Sequence, residues 1–348
     1  MSSERDHPTM ARSEPGASHG RAPVTVTLVV PCYNEEAVLE ESAAVLLALL
    51  DREGTTGRMS EASSLLLVDD GSGDRTWALL EGLCARHPGR ITAARLSKNM
   101  GHQYALLAGL SLAEGDVLVT IDADLQDDPA VIPEMIDRYL DGHDVVYGVR
   151  RARTTDSAYK RLMARAFYAL MRRMGTDVIP NHADFRLLSR RAIEALLSFG
   201  EANLFLRGVV RLVGFPSAQV YYDRQARRAG ETKYSTPQMA TLAIEGITSF
   251  SVTPLRVISA LGLLTSVFAV AVTIWVLIVA LTNPAAVPGW ASTVLPITFI
   301  GGIQILSLGV IGEYVGKIYL ETKRRPRFIV EQTIGLSEKS APAPREAR

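Results

Sequence analysis

Two carboxylates stand two residues apart at Asp122 and Asp124, directly after the apolar run Val117–Ile121. Just past a buried strand, such a pair repels itself unless a cation stands between the two side chains. Hard oxygen ligands with a following amide, Gln126, suit Mg2+ or Mn2+, and such an ion typically bridges to phosphate oxygens. A DxD triplet by itself is weak evidence, because surface loops contain it by chance. Its place after an apolar strand, beside a second acidic turn at Asp69-Asp70, strengthens it. Other chemistries are disfavoured. There is no GxGxxG fingerprint and no GxxxxGK[ST] loop, which argues against a dinucleotide site and a P-loop NTPase. Cys32 and Cys84 lie far apart and form no CxxC pattern, which excludes a cysteine-built zinc site and a disulfide-stapled secreted domain. A reducing compartment fits.

The elements that would position these carboxylates alternate in type. Val24–Val30 precedes a helical stretch Glu35–Asp51, and Ser64–Val68 precedes a helix from Asp74 to about His87. Ile91–Leu96 and His102–Ala113 come next, then Val117–Ile121 and a helix starting near Pro129. Val145–Tyr147 closes the series. Strand-then-helix repetition predicts a mostly parallel sheet with helices on both faces. In such sheets ligands bind beyond the carboxyl ends of the strands. The segments just past the strands are polar and turn-forming: Pro31-Cys32-Tyr33-Asn34-Glu35-Glu36, Asp69-Asp70-Gly71-Ser72-Gly73-Asp74, Ser97-Lys98-Asn99-Met100-Gly101-His102, and Asp122 through Pro129. Acidic residues therefore gather at one edge.

Thirty-seven basic and 37 acidic side chains cancel, so the chain is not a general polyanion binder and a nucleic-acid role is disfavoured. Hydrophobic residues make up 47% and the mean hydropathy is +0.13. The excess is concentrated: from Val257 to Gly312 there is no Lys, Arg, Asp, Glu or His. One crossing of a membrane needs about 20 apolar residues, so two transmembrane helices are expected, Val257–Leu281 and Ser292–Gly312. The alternative, a buried helical hairpin in a soluble core, would normally show a polar face. Arg224, Arg227, Arg228, Lys233 and Arg256 precede the spans, and Lys317, Lys323, Arg324, Arg325 and Arg327 come after them. The loop between carries no charge, so both ends are expected in the cytoplasm. Thr236–Leu255 reads as an amphipathic helix at the membrane surface, or as a helix packed on the soluble domain. Residues 1–22 and 336–348 are polar tails with no signal peptide, expected to be disordered.

The motifs then add up to a resemblance. Val29 through Glu36, Val68-Asp69-Asp70-Gly71-Ser72 and Asp122-Ala123-Asp124-Leu125-Gln126-Asp127 resemble glycosyltransferase family 2. Asn181 through Leu188, Asn203 through Gly208, Gly230 through Ser235 and Gly312 through Tyr319 are similar to the polyprenyl-phosphate glycosyltransferases. That group includes the bactoprenol (undecaprenyl-phosphate) glucosyltransferases and, more distantly, dolichol-phosphate mannose synthase. The resemblance covers about residues 24–333, and the paired C-terminal spans match the bactoprenol branch.

The resemblance implies a GT-A catalytic domain, Rossmann-like with a mostly parallel α/β sheet, over residues 23–234. A juxtamembrane helix (235–256), spans at 257–281 and 292–312, and a cytoplasmic segment (313–335) would come after it. A metal-dependent enzyme would move one sugar from a nucleotide-sugar donor to a polyprenyl phosphate, the same likeness favouring uridine-linked glucose or N-acetylglucosamine. Pro31, Tyr33, Glu35 and Asp70 would line the base and ribose pocket. Asp122, Asp124 and Gln126 would form the Mg2+ or Mn2+ and diphosphate site, with Asp124 and Gln126 the closer ligands. Asp184 would stand near the anomeric carbon, and Arg207 and Lys233 would face the lipid phosphate. A homotetramer in the inner or plasma membrane is implied as well. Two negative reactants must meet, so Arg150, Arg151, Arg153, Arg207, Arg224 and Lys233 are candidates to hold the acceptor, Arg suiting bidentate phosphate contact better than Lys. Asp128 departs from the family, where proline often precedes Pro129.

Plainer roles stand beside these. Asp69 or Asp70 would cap the following turn; Asp184 would start a helix at Ser189–Phe199; Arg150–Arg153 would be a solvated loop. His102 and His182 read as structural, Cys32 as a pocket wall, and Glu313 and Tyr314 as interface caps. Among other functions, a processive polysaccharide synthase would carry a QxxRW motif and more spans, and this chain has no QxxRW. A membrane-anchored nucleotide-sugar binder without turnover is disfavoured by the intact DxD, Asp184 and basic set. A channel fails because the spans hold no charged residue.

Overall fold

The computed structural model describes residues 22–151, 182–200, 206–223, 253–282, 290–323 and 325–336. Its centre is an eight-stranded sheet, with the strands in the spatial order Ser217–Tyr222, Val145–Arg150, His182–Ser189, Val117–Thr120, Val26–Cys32, Ser64–Asp69, Ile91–Leu96 and Val330–Ile334. The first four strands, β1 (Val26–Cys32), β2 (Ser64–Asp69), β3 (Ile91–Leu96) and β4 (Val117–Thr120), pair in parallel, β1 lying between β2 and β4. Every residue of β1 is buried, as expected of a central parallel strand covered on both faces. Helices α1 (Leu39–Thr55), α2 (Thr76–Arg86) and α4 (Ile132–Leu140) contribute to one core, and α3 (His102–Leu112) packs into the other. Gly109 lets α3 seat closely: a Cβ there would lie 2.3 Å from Val29 Cγ1. The expected alternation and the polar turns at one sheet edge are therefore present.

The series does not close at Val145–Tyr147. β5 (Val145–Arg150) is followed by β6 (His182–Ser189), which inserts antiparallel between β4 and β5, and by β7 (Ser217–Tyr222), parallel to β5. β6 escaped the pattern because Asp184 and Arg186 sit at buried strand positions that ought to be apolar. They pair with and neutralise each other. Asp184 is thus a strand residue and not a helix start. Ser189 takes that role, its Oγ accepting Ala192 N at 3.2 Å to cap α5 (Arg190–Ser198). Helix α6 (Leu206–Leu212) packs in the same core as α3 and α5. The first two helices also begin later than expected, at Leu39 and Thr76, because the residues ahead of them are spent in cross-linked turns.

Two long helices come next, α7 (Thr253–Thr282, 30 residues) and α8 (Trp290–Thr322, 33 residues). Among the described residues one segment, Phe299–Thr322, is long and apolar enough to cross a membrane. Leu263, Phe268 and Trp275 of α7, and Phe299, Ile305 and Leu308 of α8, are exposed. α8 continues past Gly312, where the second span was expected to end. The chain then returns to the sheet. β8 (Val330–Ile334) pairs antiparallel with β3, and Arg95 stands 3.7 Å from Glu331 and 3.4 Å from Asp69. The expected juxtamembrane segment 313–335 thus supplies an edge strand. The tails and most of the expected amphipathic helix lie outside the described residues.

Candidate active site

The site is built from loops at the carboxyl ends of the parallel strands, and the loops hold one another. After β1 the backbone turns left-handed at Asn34, φ +55°, a conformation asparagine tolerates better than most residues. Asn34 Oδ1 accepts Gly73 N at 2.9 Å, and Asn34 N donates to Ser72 Oγ at 3.0 Å. Glu35 N donates to Thr76 Oγ1 at 2.9 Å. The loops after β1 and β2 are thereby stapled together. The loop after β3 joins them at Gly71, φ +67°, where a Cβ would come within 2.6 Å of the Lys98 carbonyl carbon. Asp70 completes the set. Its two oxygens accept Met100 N and Gly101 N, each at 2.8 Å, and so fix the turn that launches α3. Burial pushes the Asp70 carboxyl up, and the two amide donors oppose that without cancelling it.

Between these loops and the one after β4 lies a cleft of about 250 Å³, lined by Pro31, Cys32, Tyr33, Glu35, Asp70, Asn99, His102, Asp122 and Asp124 among others. The β4 loop reverses sharply. Leu125 N donates to Asp122 O at 3.2 Å, and Leu125 has φ +46° with its side chain buried. A non-glycine residue held there costs on the order of 1–3 kcal/mol. The reversal lets Gln126 reach back: its N donates to Asp124 Oδ1 at 3.2 Å and its Nε2 to Asp124 Oδ2 at 2.7 Å. Asp128 Oδ1 accepts Ala130 N at 3.0 Å and caps the short turn Pro129–Val131.

β6 brings the last carboxylate. Alternate residues of a strand share a face, so Asp184 and Arg186 lie side by side. Arg186 Nη2 donates to Asp184 Oδ1, and both side chains are buried. Thr120 Oγ1 donates to the Asp184 carbonyl, which ties β6 to the end of β4. His102, first residue of α3, places Nε2 3.5 Å from Asp122 Oδ1 and 3.6 Å from Asp184 Oδ2. It bridges the loop after β4 and strand β6. Burial is the largest cause pushing Asp122 up to about 6; His102 opposes it, and the carboxylates of Asp127, Asp184 and Asp124 add to it.

Among the described residues no three His, Cys, Asp or Glu side chains are grouped to hold a metal by themselves. A Mg2+-like ion does not require that, since it usually keeps several waters and takes one or two carboxylates plus substrate phosphates. Asp122 and Asp124 fit that role. Gln126, which the resemblance makes a close ligand together with Asp124, donates both its N and its Nε2 to that carboxylate and so stands beside it.

The structure brings together Pro31, Tyr33, Glu35, Asp70, Asp122 and Asp124 on one cleft, with Asp184 reached through His102. It takes Arg150 elsewhere: its guanidinium donates to Asp127 Oδ1 at 2.8 and 3.0 Å and to Tyr222 Oη at 3.2 Å. Tyr222 itself donates to Asp127 Oδ1 at 2.6 Å. Arg151 pairs with Asp223 at 3.2 Å, both exposed. Arg207 lies in the first turn of α6, while Arg153, Arg224 and Lys233 lie outside the described residues. Sequence reasoning missed Arg186 and gave His102 a structural role. The two-residue spacing from Asp184 was the available signal for Arg186, once a strand is recognised there.

The family model for Glycosyl transferase family 2 matches residues 27–197. An uncharacterized glycosyltransferase of Bacillus subtilis (strain 168), YkoT, is 46% identical over 308 residues, 88% of this chain and 91% of that protein. The chain belongs to glycosyltransferase family 2. The family-2 region runs from β1 into α5 and contains His102, Asp122, Asp124, Asp184 and Arg186. Likeness to other proteins extends further. The prophage bactoprenol glucosyl transferase homolog of Escherichia coli (strain K12) is 37% identical over 308 residues, covering 88% of this chain and 98% of its own. The bactoprenol glucosyl transferase of Shigella phage SfV is 38% identical over 307 residues, with the same coverage of both chains. Alignments of that length must run well past residue 197 into the long helices.

Proposed function

We propose that this protein transfers one sugar from a nucleotide-sugar donor, UDP-glucose or UDP-N-acetylglucosamine, to a polyprenyl phosphate at the cytoplasmic face of a membrane. The observation that carries this reading is the likeness to proteins named bactoprenol glucosyl transferases along nearly their whole length. The architecture supports it. A carboxylate-lined cleft at the ends of a parallel sheet is joined to long apolar helices, where a lipid-borne acceptor would be found. α7 and α8 serve as two spans with both ends in the cytoplasm, given the flanking Lys and Arg residues. A homotetramer is the assembly the resemblance implies.

In this reading Pro31, Tyr33, Glu35 and Asp70 receive the base and ribose, and Asp122 and Asp124 stand at the diphosphate. Asp122, Asp124 and Gln126 would hold a divalent cation, which would supply neutralisation of the charge on the departing nucleoside diphosphate. Gln126 also fixes the Asp124 carboxylate through two hydrogen bonds. Arg186 balances the charge of Asp184 and fixes its direction, so Asp184 orients the acceptor or stabilises positive charge at the anomeric carbon. A strong base is unnecessary, because a phosphate monoester with a second pKa of about 6 is mostly dianionic at neutral pH. A single in-line displacement inverts the anomeric configuration. Arg207, Arg224 and Lys233 meet the lipid phosphate, while Arg150 is committed to Asp127 and Tyr222.

A transfer assay tests this. Detergent-purified protein is incubated with undecaprenyl phosphate, Mn2+ or Mg2+ and a panel of UDP-, GDP- and dTDP-sugars, with lipid products read by mass. One sugar–lipid monophosphate is expected, lost with EDTA and in Asp124→Ala. No product from any donor, with metal-dependent nucleotide binding retained, would overturn the reading in favour of a binder without turnover.

A further inference from the structure

The first turn of α3 reaches beyond the cleft it lines. Gln103, next to His102, accepts the backbone N–H of Leu206 on its Oε1 at 3.0 Å. The Leu206 carbonyl receives Arg186 Nη1 at 3.5 Å, and the other end of that guanidinium donates to Asp184. His102 Nε2 faces the same Asp184 carboxylate at 3.6 Å. α3, β6 and α6 are thus closed into a ring around Asp184. The Leu206 peptide is gripped at both its N–H and its C=O, and the Leu206 side chain is buried among Leu106, Leu110 and Val210. The first N–H groups of a helix have no partner within the helix, and Gln103 supplies one to α6. The residue after Leu206 is Arg207.

We propose that Gln103 is a positioning residue for the acceptor half of the site: by holding the Leu206 peptide it sets where Arg207 stands relative to Asp184. The inference rests on the reading of Arg207 as a residue that meets the lipid phosphate. The donor half is held by other contacts, those of Asn34, Asp70 and Gln126, so the two halves respond separately. Small displacements of a positioning group are enough to matter, since about 1 Å of misplacement can cost about a hundredfold in rate.

The test uses the full-length protein and the donor identified by the transfer assay. Gln103→Met keeps the side-chain length and removes the acceptor oxygen. Its KM for undecaprenyl phosphate is expected to rise about tenfold, with the donor KM and the Kd for UDP with Mn2+ unchanged within about twofold. Gln103→Asn, which keeps the amide at shorter reach, is expected to fall between, and it carries the same split if the methionine variant does not fold. Adding Gln103→Met to Arg207→Ala is expected to raise the acceptor KM no further than Arg207→Ala alone, the signature of two residues acting through one contact. An acceptor KM within about twofold of wild type in Gln103→Met, or donor and acceptor KM rising together, overturns the proposal. An Arg207→Ala variant with unchanged acceptor KM overturns the reading of Arg207 instead, and a wild-type protein that transfers nothing overturns the proposed function.

Discussion

At the amino ends of the strands, the oxygens of Asp144 and Asp116 are taken up by donors. Asp144, buried, receives Ser189 Oγ at 2.8 Å and both Nε and Nη2 of Arg191, and Asp116, exposed, receives Thr25 N at 2.8 Å. At the carboxyl ends, Asp122 and Asp124 line one cleft, and His102 stands between Asp122 and Asp184. The titration behaviour diverges accordingly. Arg191 is the main cause holding Asp144 below the usual carboxylate range, whereas burial and neighbouring carboxylates push Asp122 up to about 6. The amino-end acids also line a larger cleft, about 550 Å³ against about 250 Å³. Cavity size therefore does not identify the site. The identifying feature is a set of acids placed against one another, an arrangement that costs stability and that a cation or a charged substrate would relieve.

The largest effect should come from removing one charge at the carboxyl end. Asp122→Asn is expected to lower the rate of sugar transfer about a thousandfold, the effect of losing a main electrostatic contact at a developing charge. Thermal stability is expected to hold or rise slightly, because a repelling charge has gone. A variant that loses stability and keeps its activity would place Asp122 among the structural acids. His102→Ala comes next, at about tenfold in kcat, since it leaves both carboxylates in place without the group between them. If kcat is unchanged while Tm falls, His102 is the structural residue its sequence context suggested.

Much of the carboxyl end was legible beforehand because parallel strands announce themselves as apolar runs and the turns after them are short. Asp122, Asp124 and the Asp69-Asp70 turn all fall where that pattern puts them. Strand β6 was not legible, because a buried ion pair reads in sequence as two exposed charges: Asp184 and Arg186 are apolar in effect only once they meet. β8 was hidden for another reason. It reaches β3 only after both long helices have intervened, and no local pattern reports such a distant pairing. His102 looked structural because the two carboxylates it faces, Asp122 and Asp184, come from later in the chain.

The amino end should answer in stability instead of rate. Asp144→Asn is expected to lower Tm by about 5 °C, through loss of charged hydrogen bonds to a buried group, with transfer activity within about twofold of wild type. The lowered pKa sets the sign with pH. The carboxylate stabilises the fold fully above its unfolded value of about 3.9, and that contribution is lost as pH falls through the lower folded value. The Tm difference between wild type and Asp144→Asn should therefore be constant at neutral pH and shrink below about pH 4. A difference that grows on acidification would contradict the assignment.

Asp128 is the finest test, because it belongs to the carboxyl end by position and to the structural acids by its contact. Its Oδ1 accepts Ala130 N at 3.0 Å, which uses the side chain as a cap ahead of Pro129. A proline at that position, as the family resemblance would have it, also stiffens the turn but brings no charge. Asp128→Ala is then expected to cost about 1 kcal/mol or less in stability, as for loss of a cap, and to leave transfer within about twofold. A change in transfer of about tenfold, with Tm unmoved, would mean that its charge acts on the neighbouring carboxylates and not on the turn. That would extend the opposed set by one member.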